Sequence, residues 1–168
     1  VLVALLLVVL LPGLAAAAVS FQNLGTAAPP TSIGIHTLTP FNLAAQTAIA
    51  DGTTVTAIPG DPVPPGTVGV SPALVKQTIG AGWATWSNGY TGPVYTDLQS
   101  QTVTLTLPLV TGALYLYIEP NNFGTFTIKA VANDGTTSGD IPVVGNAGAN
   151  GYLFWIPDSS AQLTSIVV

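Results

Sequence analysis

The stretch ALYLYIEPNNFGTFTIKA, residues 113–130, decides the fold class of this chain. Its first half alternates apolar and aromatic residues, stops at Pro120, and resumes the alternation after the two asparagines that follow. An alternation with a period of two places successive side chains on opposite faces of a β-strand. The stretch therefore predicts two strands joined by a polar corner, and that corner carries Glu119, the only glutamate of the chain.

Similar runs lie on both sides of this stretch. Turn signals separate them, and Asp134–Gly135 is typical of a hairpin because glycine tolerates the positive φ that such turns need. Strands that recur about every ten residues predict an all-β, two-layer antiparallel β-sandwich, jelly-roll-like, which we place at residues 19–168 as one domain. The predicted strands are 19–24, 33–41, 53–58, 102–107, 112–119, 125–133, 141–144, 151–157 and 163–168.

Two segments break this pattern. Residues 44–50 form a short apolar run that is compatible with one helical turn, and no longer helix is predicted. Residues 59–69 contain four prolines, so we expect a long exposed loop there. Within the strand predicted at 125–133, Phe126, Ile128 and Ala130 are expected to share one apolar face.

The composition excludes several classes of function. Charged residues make up only 5% of the 168 residues, the net charge is −5, and Lys76 and Lys129 are the only basic residues besides one histidine. Nucleic acids and anionic membrane surfaces are held by clustered Lys and Arg, so neither is an expected partner. The absence of cysteine excludes a disulfide framework and thiolate metal ligands. The chain is too apolar to be intrinsically disordered.

The N-terminal segment predicts export. Residues 1–11 form an unbroken apolar run, Pro12–Gly13 interrupts it, and alanines at 16–18 offer the small residues that a signal peptidase reads. We therefore predict a signal peptide at residues 1–18, cleaved near Ala18, with its charged start missing. A membrane anchor is the alternative, since about 20 apolar residues span a bilayer. Both interpretations imply export.

Glu119 has three interpretations. With Asn121 or the next asparagine, its carboxylate would offer oxygen ligands to Ca²⁺, which is the one cofactor that the sequence suggests. A glycosidase role would need a second acid close to it in space. A structural corner needs only that Pro120 end the strand and that the asparagines bond their own backbone, and we favour this interpretation. The candidate second acids are Asp97, Asp140 and Asp158.

His36 is the single histidine, and we expect it to be structural. Zinc needs three or four N, S or O ligands, and a triad would require Ser71, Ser87 or Ser138 nearby. The segment around Ser71 lacks the closing glycine of a nucleophile elbow, and Pro72 has no N–H to donate. We therefore predict that the protein is not an enzyme and that the oxygen-rich residues 133–140 form a hairpin turn.

Residues 80–92 contain the candidate binding aromatics. Trp83, Trp86 and Tyr90 would stack on sugar rings if they are exposed. Trp83 and Trp86 are three residues apart, so in a strand they would point to opposite faces and at least one would belong to the core. A structural role and a carbohydrate-binding role both stay open.

Four blocks of the chain resemble one protein family. They are GAGWATWSNGYTGPVYTD, TVTLTLP, YIEPNNFGTFTIKAVANDGTTSG and GNAGANGYLFWIPDSSAQLTSIVV. They are similar to exported bacterial PEP-CTERM proteins, over residues 19–168 and most strongly over 117–139. The resemblance implies a β-sandwich ectodomain and, after Val168, a sorting tail with a Pro-Glu-Pro motif, a transmembrane helix and a basic end. It supplies no catalytic residues.

The resemblance also implies display at the cell surface or release into an exopolysaccharide matrix. We therefore expect an exported structural or surface-assembly protein, with a carbohydrate-binding module as the alternative. Polysaccharide and further copies of the chain are the expected partners. A membrane would be contacted only through the sorting tail.

Overall fold

The computed structural model describes residues 18–60, 66–82, 88–97, 99, 102–120, 122, 124–145 and 148–168. Nearly all of the regular structure in these residues is β, with one short helix. The elements are β1 (Ser20–Gly25), β2 (Ser32–Ile33), β3 (His36–Thr37), α1 (Leu43–Thr47), β4 (Thr54–Pro59), β5 (Thr67–Ile79), β6 (Gly92–Thr96), β7 (Thr104–Thr106), β8 (Ala113–Ile118), β9 (Gly124–Ala132), β10 (Ile141–Gly145), β11 (Asn150–Trp155) and β12 (Leu163–Val167).

Two antiparallel sheets of unequal size form the body. The small sheet has the order β1-β11-β8, and the large sheet has the order β10-β9-β12-β7-β5-β4, with β6 also paired to β5. From β7 onward the chain passes from the large sheet to β8, back to β9 and β10, across to β11, and back to β12. The prediction of an all-β sandwich of two antiparallel layers is confirmed.

The core lies between the two sheets. Tyr152 and Phe154 of the small sheet and Ile128 and Ile166 of the large sheet are at most 1% exposed and belong to one cluster. Phe21 of β1 packs against Phe154 with a ring-centroid separation of 5.4 Å. Alternation dictates this arrangement, because every second residue of each strand faces the opposing sheet.

Residues 26–38 lie over the outer face of the small sheet. The Tyr117 hydroxyl on β8 donates a hydrogen bond to the Ala27 carbonyl. The β2–β3 hairpin brings Gly34 within 4.0 Å of the indole of Trp155, measured from the position that a Cβ atom would occupy. The central strand of this sheet is thereby covered on both faces, and Leu153 is fully buried.

The structure corrects several strand predictions. Residues 33–41 do not form one strand, because Gly34 has a φ of +55° and turns the chain between the two-residue strands β2 and β3. The sequence interpretation missed β5 and β6, and β5 begins at Thr67, inside the predicted proline-rich loop. Phe126 shares the alternation phase of Ile128, yet it is 37% exposed because it lies near the start of β9.

The predicted leader lies outside the described residues, apart from Ala18. Among the residues that the structure describes, no helix is both long enough and apolar enough to cross a bilayer.

Candidate functional site

Glu119 follows the last residue of β8 and joins two segments that are far apart in sequence. Its carboxylate oxygen Oε2 accepts a hydrogen bond of 3.2 Å from the backbone N–H of Gly148, in the connection between β10 and β11. Pro120 lies against Gly145 at the end of β10, where a Cβ atom on the glycine would meet the proline Cβ at 3.2 Å. This geometry lets Glu119 fix the corner at which β8 ends.

The end of the aromatic segment reaches the same place. Asn88 has a positive φ of 52°, and its Nδ2 donates a hydrogen bond of 2.9 Å to the carbonyl of Ala149. Gly148 and Ala149 therefore connect the segment before Tyr90 to the Glu119 carboxylate. The structure thus places Asn88, which precedes Tyr90 by two residues, near the corner that carries Glu119.

Tyr90 is the one predicted binding aromatic that the structure describes. It is 47% exposed, and its hydroxyl donates a hydrogen bond of 3.1 Å to the carbonyl of Pro93. The ring lies so close to Gly92 that a Cβ atom there would stand 2.6 Å from the Tyr90 hydroxyl oxygen. A ring held at its polar end and exposed elsewhere is suited to stacking. Trp83, Trp86 and Asn121 lie outside the described residues, so their predicted roles stay predictions.

His36 makes a structural contact. Its Nε2 lies 2.7 Å from the carbonyl oxygen of Ile156, which requires Nε2 to carry the proton and donate it. The ring lies against Gly112, where any Cβ atom would overlap it. The hydrogen bond ties the β2–β3 hairpin to the segment just after β11.

The serine candidates are placed differently from a catalytic elbow. Ser71 lies in the middle of β5, paired with Thr104 of β7, rather than at a sharp turn between a strand and a helix. The Ser138 hydroxyl accepts a hydrogen bond from the Ala130 N–H and donates one to the Gly139 carbonyl. Ser87 lies outside the described residues.

Lys76 forms a buried polar cluster that the sequence interpretation missed. The residue is only 3% exposed, and its Nζ donates hydrogen bonds to Asp51 Oδ1 at 2.5 Å and to Thr78 Oγ1 at 2.6 Å. The Lys76 ammonium is the main cause that holds the pKa of Asp51 below its ordinary value. The signal in the sequence was a lysine in phase with Leu74 along an otherwise apolar alternation.

The strand next to this cluster adds a half-buried tyrosine. Tyr95 of β6 lies directly opposite Lys76 of β5. Burial raises the pKa of Tyr95 to about 12, and the nearby Tyr90 adds to the rise. Its hydroxyl therefore stays protonated at any physiological pH.

The second lysine pairs at the surface. Lys129 Nζ lies 2.7 Å from Asp140 Oδ1, and both side chains are well exposed. The pair borders an open depression of about 370 Å³ on the outer side of β9 and β12, which Thr125, Thr127 and Val167 also line. Exposed pairs of this kind contribute roughly 0–1 kcal/mol.

Residues 133–140 begin with a tight turn. Gly135 has a φ of +85°, and Val131 pairs with Thr137 across the turn. Asp134 Oδ1 accepts hydrogen bonds from the hydroxyl and the N–H of Thr136, and these bonds hold the pKa of Asp134 below its ordinary value. Among the described residues, no three His, Cys, Asp or Glu side chains lie close enough together to hold a metal ion.

Comparisons with protein-family models, with curated proteins and with solved structures find no match for this chain. The fold therefore defines its class, an all-β sandwich.

Proposed function

We propose that this chain is an exported, non-enzymatic protein of the cell surface or extracellular matrix, with a structural or surface-assembly role. One observation carries the proposal: the buried lysine, the single glutamate and the single histidine are each engaged in contacts within the fold. Lys76 binds Asp51, Glu119 binds the Gly148 amide, and the His36 ring donates to a backbone carbonyl. Contacts of this kind, within an ion pair or with backbone groups, support a role in holding the fold.

The sequence adds the argument for export. The apolar run at 1–11, its break at Pro12–Gly13 and the alanines that follow have the order of a signal peptide. The resemblance to exported PEP-CTERM proteins supports the same location and adds the exopolysaccharide matrix as the setting. Low charge and an abundance of threonine suit a protein that works outside the cell by packing rather than by electrostatic attraction.

Fractionation of producing cells tests the proposal. The chain, preceded by a methionine and two lysines that supply a charged signal-peptide start, is expressed beside a variant in which Leu6→Arg and Val9→Arg interrupt the apolar run. We expect the parent chain in the surface-wash and medium fractions and the variant inside the cell. Recovery of both chains in the cytoplasm would refute export. Hydrolysis of a matrix polysaccharide by the purified chain would refute the non-enzymatic role.

A carbohydrate-binding module is the second candidate. The observation that favours it is the junction of the Asn88–Tyr90 segment with the Glu119 corner through Gly148 and Ala149. An exposed aromatic ring offers a sugar a surface for stacking, and nearby polar groups offer it hydrogen bonds.

Affinity electrophoresis through gels that contain polysaccharide, with and without Ca²⁺, separates the two candidates. Retardation that Trp83→Ala, Trp86→Ala or Tyr90→Ala abolishes would support the binding module. Unretarded migration in every gel would support the structural role.

A further inference from the structure

The free edges of the two sheets differ in how they are protected. An edge strand exposes unpaired backbone N–H and C=O groups, and proteins block such edges with proline, charge or a β-bulge. Among the described strands of the two sheets, four edge strands carry such a device, and β8 does not. The devices are a bulge between Asn23 and Gly25 in β1, Pro59 and a bulge in β4, Pro93 in β6, and Pro142 in β10.

Strand β8 reads ALYLYI and pairs with β11 in unbroken register. It contains no proline, glycine or charged residue, and in the described part of the chain no strand pairs with its other edge. Leu114, Leu116 and Ile118 pack against the core cluster, yet each stays only half-buried. Tyr152 and Phe154 on the central strand of the same sheet are at most 1% exposed. The edge thus leaves apolar surface that a further strand would cover.

We propose that β8 pairs antiparallel with β8 of a second copy of this chain, so that two small sheets join into one continuous sheet. Opposed residues in an antiparallel pair lie on the same face. A two-fold axis that keeps both inner faces on one side can pass through Leu116, which then opposes Leu116 of the second copy. In that register Leu114 opposes Ile118, and Tyr115 opposes Tyr117.

The pattern of β8 fits itself in this register. On the inner face, aliphatic residues oppose aliphatic residues, and on the outer face tyrosine opposes tyrosine, a pairing that stabilises antiparallel strands. Glu119 opposes Ala113, so the two glutamate carboxylates lie at opposite ends of the joint. Residues 113–118 carry no charge, and at physiological salt the net repulsion between copies is screened over about 8 Å.

A second copy suits this edge better than a polysaccharide does. Only another strand supplies a row of alternating N–H and C=O groups at the spacing that β8 presents. A two-fold contact of this kind uses the same surface on both molecules and closes as a dimer. Pairing through β8 would be one way in which the proposed surface assembly occurs, and its biological meaning rests on that proposed function. The contact between two copies can be measured in solution independently of it.

Sedimentation velocity of the purified chain across a concentration series is the first test. We expect a reversible dimer whose dissociation constant rises about tenfold or more in Tyr115→Lys, because the two-fold axis introduces the charge twice into the joint. The matched control is Val144→Lys, which places the same charge on an exposed position of β10. The control should leave the dissociation constant within about twofold.

Two single-cysteine variants test the register, since the chain has no cysteine of its own. Under mild oxidation, Leu116→Cys should give a disulfide-linked dimer, because opposed Cβ atoms lie about 4.5–5.5 Å apart, close to disulfide distance. Leu114→Cys, on the same face of the same strand, would place its two sulfurs about 13 Å apart and should stay monomeric on a denaturing gel. This pair decides the question if Tyr115→Lys does not fold.

Three outcomes would overturn the inference: a monomer at the highest soluble concentration, equal weakening by both lysine variants, or equal cross-linking of both cysteine variants. Each of these leaves the proposed function intact, since cell fractionation tests that separately. A β8-linked dimer that is found only in the cytoplasm would refute the proposed function and still support the pairing of β8.

Discussion

Replacing each of two phenylalanines by alanine tests where the sandwich places its core. Phe154 on β11 is fully buried between the sheets and packs against the Phe21 ring at 5.4 Å. Phe126 has the same side chain, but it is 37% exposed and lies outside the core cluster. The two substitutions remove the same atoms, so any difference between them reports burial.

The expected losses follow from that difference. Phe154→Ala removes a whole buried ring and leaves a cavity, which costs about 3–5 kcal/mol of unfolding free energy. Phe126→Ala removes a ring that water already reaches, and we expect a loss below about 2 kcal/mol. For a domain of this size each kcal/mol lowers Tm by about 2–4 °C, so Phe154→Ala should lower Tm by roughly 6–20 °C.

Urea unfolding followed by tryptophan fluorescence and far-UV circular dichroism measures both losses. The slope of unfolding free energy against urea should be the same in both variants, since each unfolds the same sheets. Equal losses for the two phenylalanines, or a larger loss for Phe126, would refute the placement of the core between β11 and the large sheet.

Three further predictions test the polar contacts. Lys76 lowers the pKa of Asp51 from its ordinary value of 3.8, so ionised Asp51 stabilises the fold above that pH. This stabilisation is lost as the pH falls through the pKa that Asp51 has in the folded state. The Asp51→Asn variant should therefore unfold more easily at pH 7 and show a smaller fall in Tm between pH 5 and pH 3. Gly112→Ala should cost about 1–3 kcal/mol by displacing the His36 ring, and in urea unfolding the added cost should shrink when His36→Ala is already present. Glu119→Ala should lower the unfolding free energy by about 1–2 kcal/mol, and Glu119→Gln should lower it less, because glutamine keeps an oxygen acceptor for the Gly148 amide. If Ca²⁺ raises the Tm of the parent chain but not of these variants, the metal interpretation of Glu119 is favoured instead.

The sequence predicted the strands with an unbroken alternation or an unbroken apolar run and missed those that contain an exception. Strands β8, β9, β11 and β12 lie within a residue or two of their predicted bounds. Strand β5 was not predicted because Pro72 and Lys76 interrupt the series of apolar residues at every second position. In the structure, the bond to Asp51 allows Lys76 to be buried in this series. Residues 33–41 were overpredicted because alternation cannot report that Gly34 turns the chain.

The sequence indicated the local role of single residues of the candidate site, but it did not indicate which residues contact one another. A pattern of residues indicates that Glu119 ends a strand, since Pro120 follows it directly. It does not indicate that the carboxylate meets an amide 29 positions later, or that His36 reaches a carbonyl 120 positions away. Those pairings follow from the order of strands in the sheets, and local propensity does not encode that order.

The same contacts explain how a chain with so few charges holds its polar groups. A buried ammonium or carboxylate destabilises a fold unless it is paired and hydrogen-bonded. Here the buried lysine has two oxygen partners, and the single glutamate accepts a hydrogen bond from the backbone N–H of Gly148. With these groups engaged inside the fold, backbone edges and apolar faces are the features that we expect to drive the proposed association between molecules. For that reason we place the proposed assembly at β8, which among the described edge strands of the two sheets is the one without proline, bulge or charge.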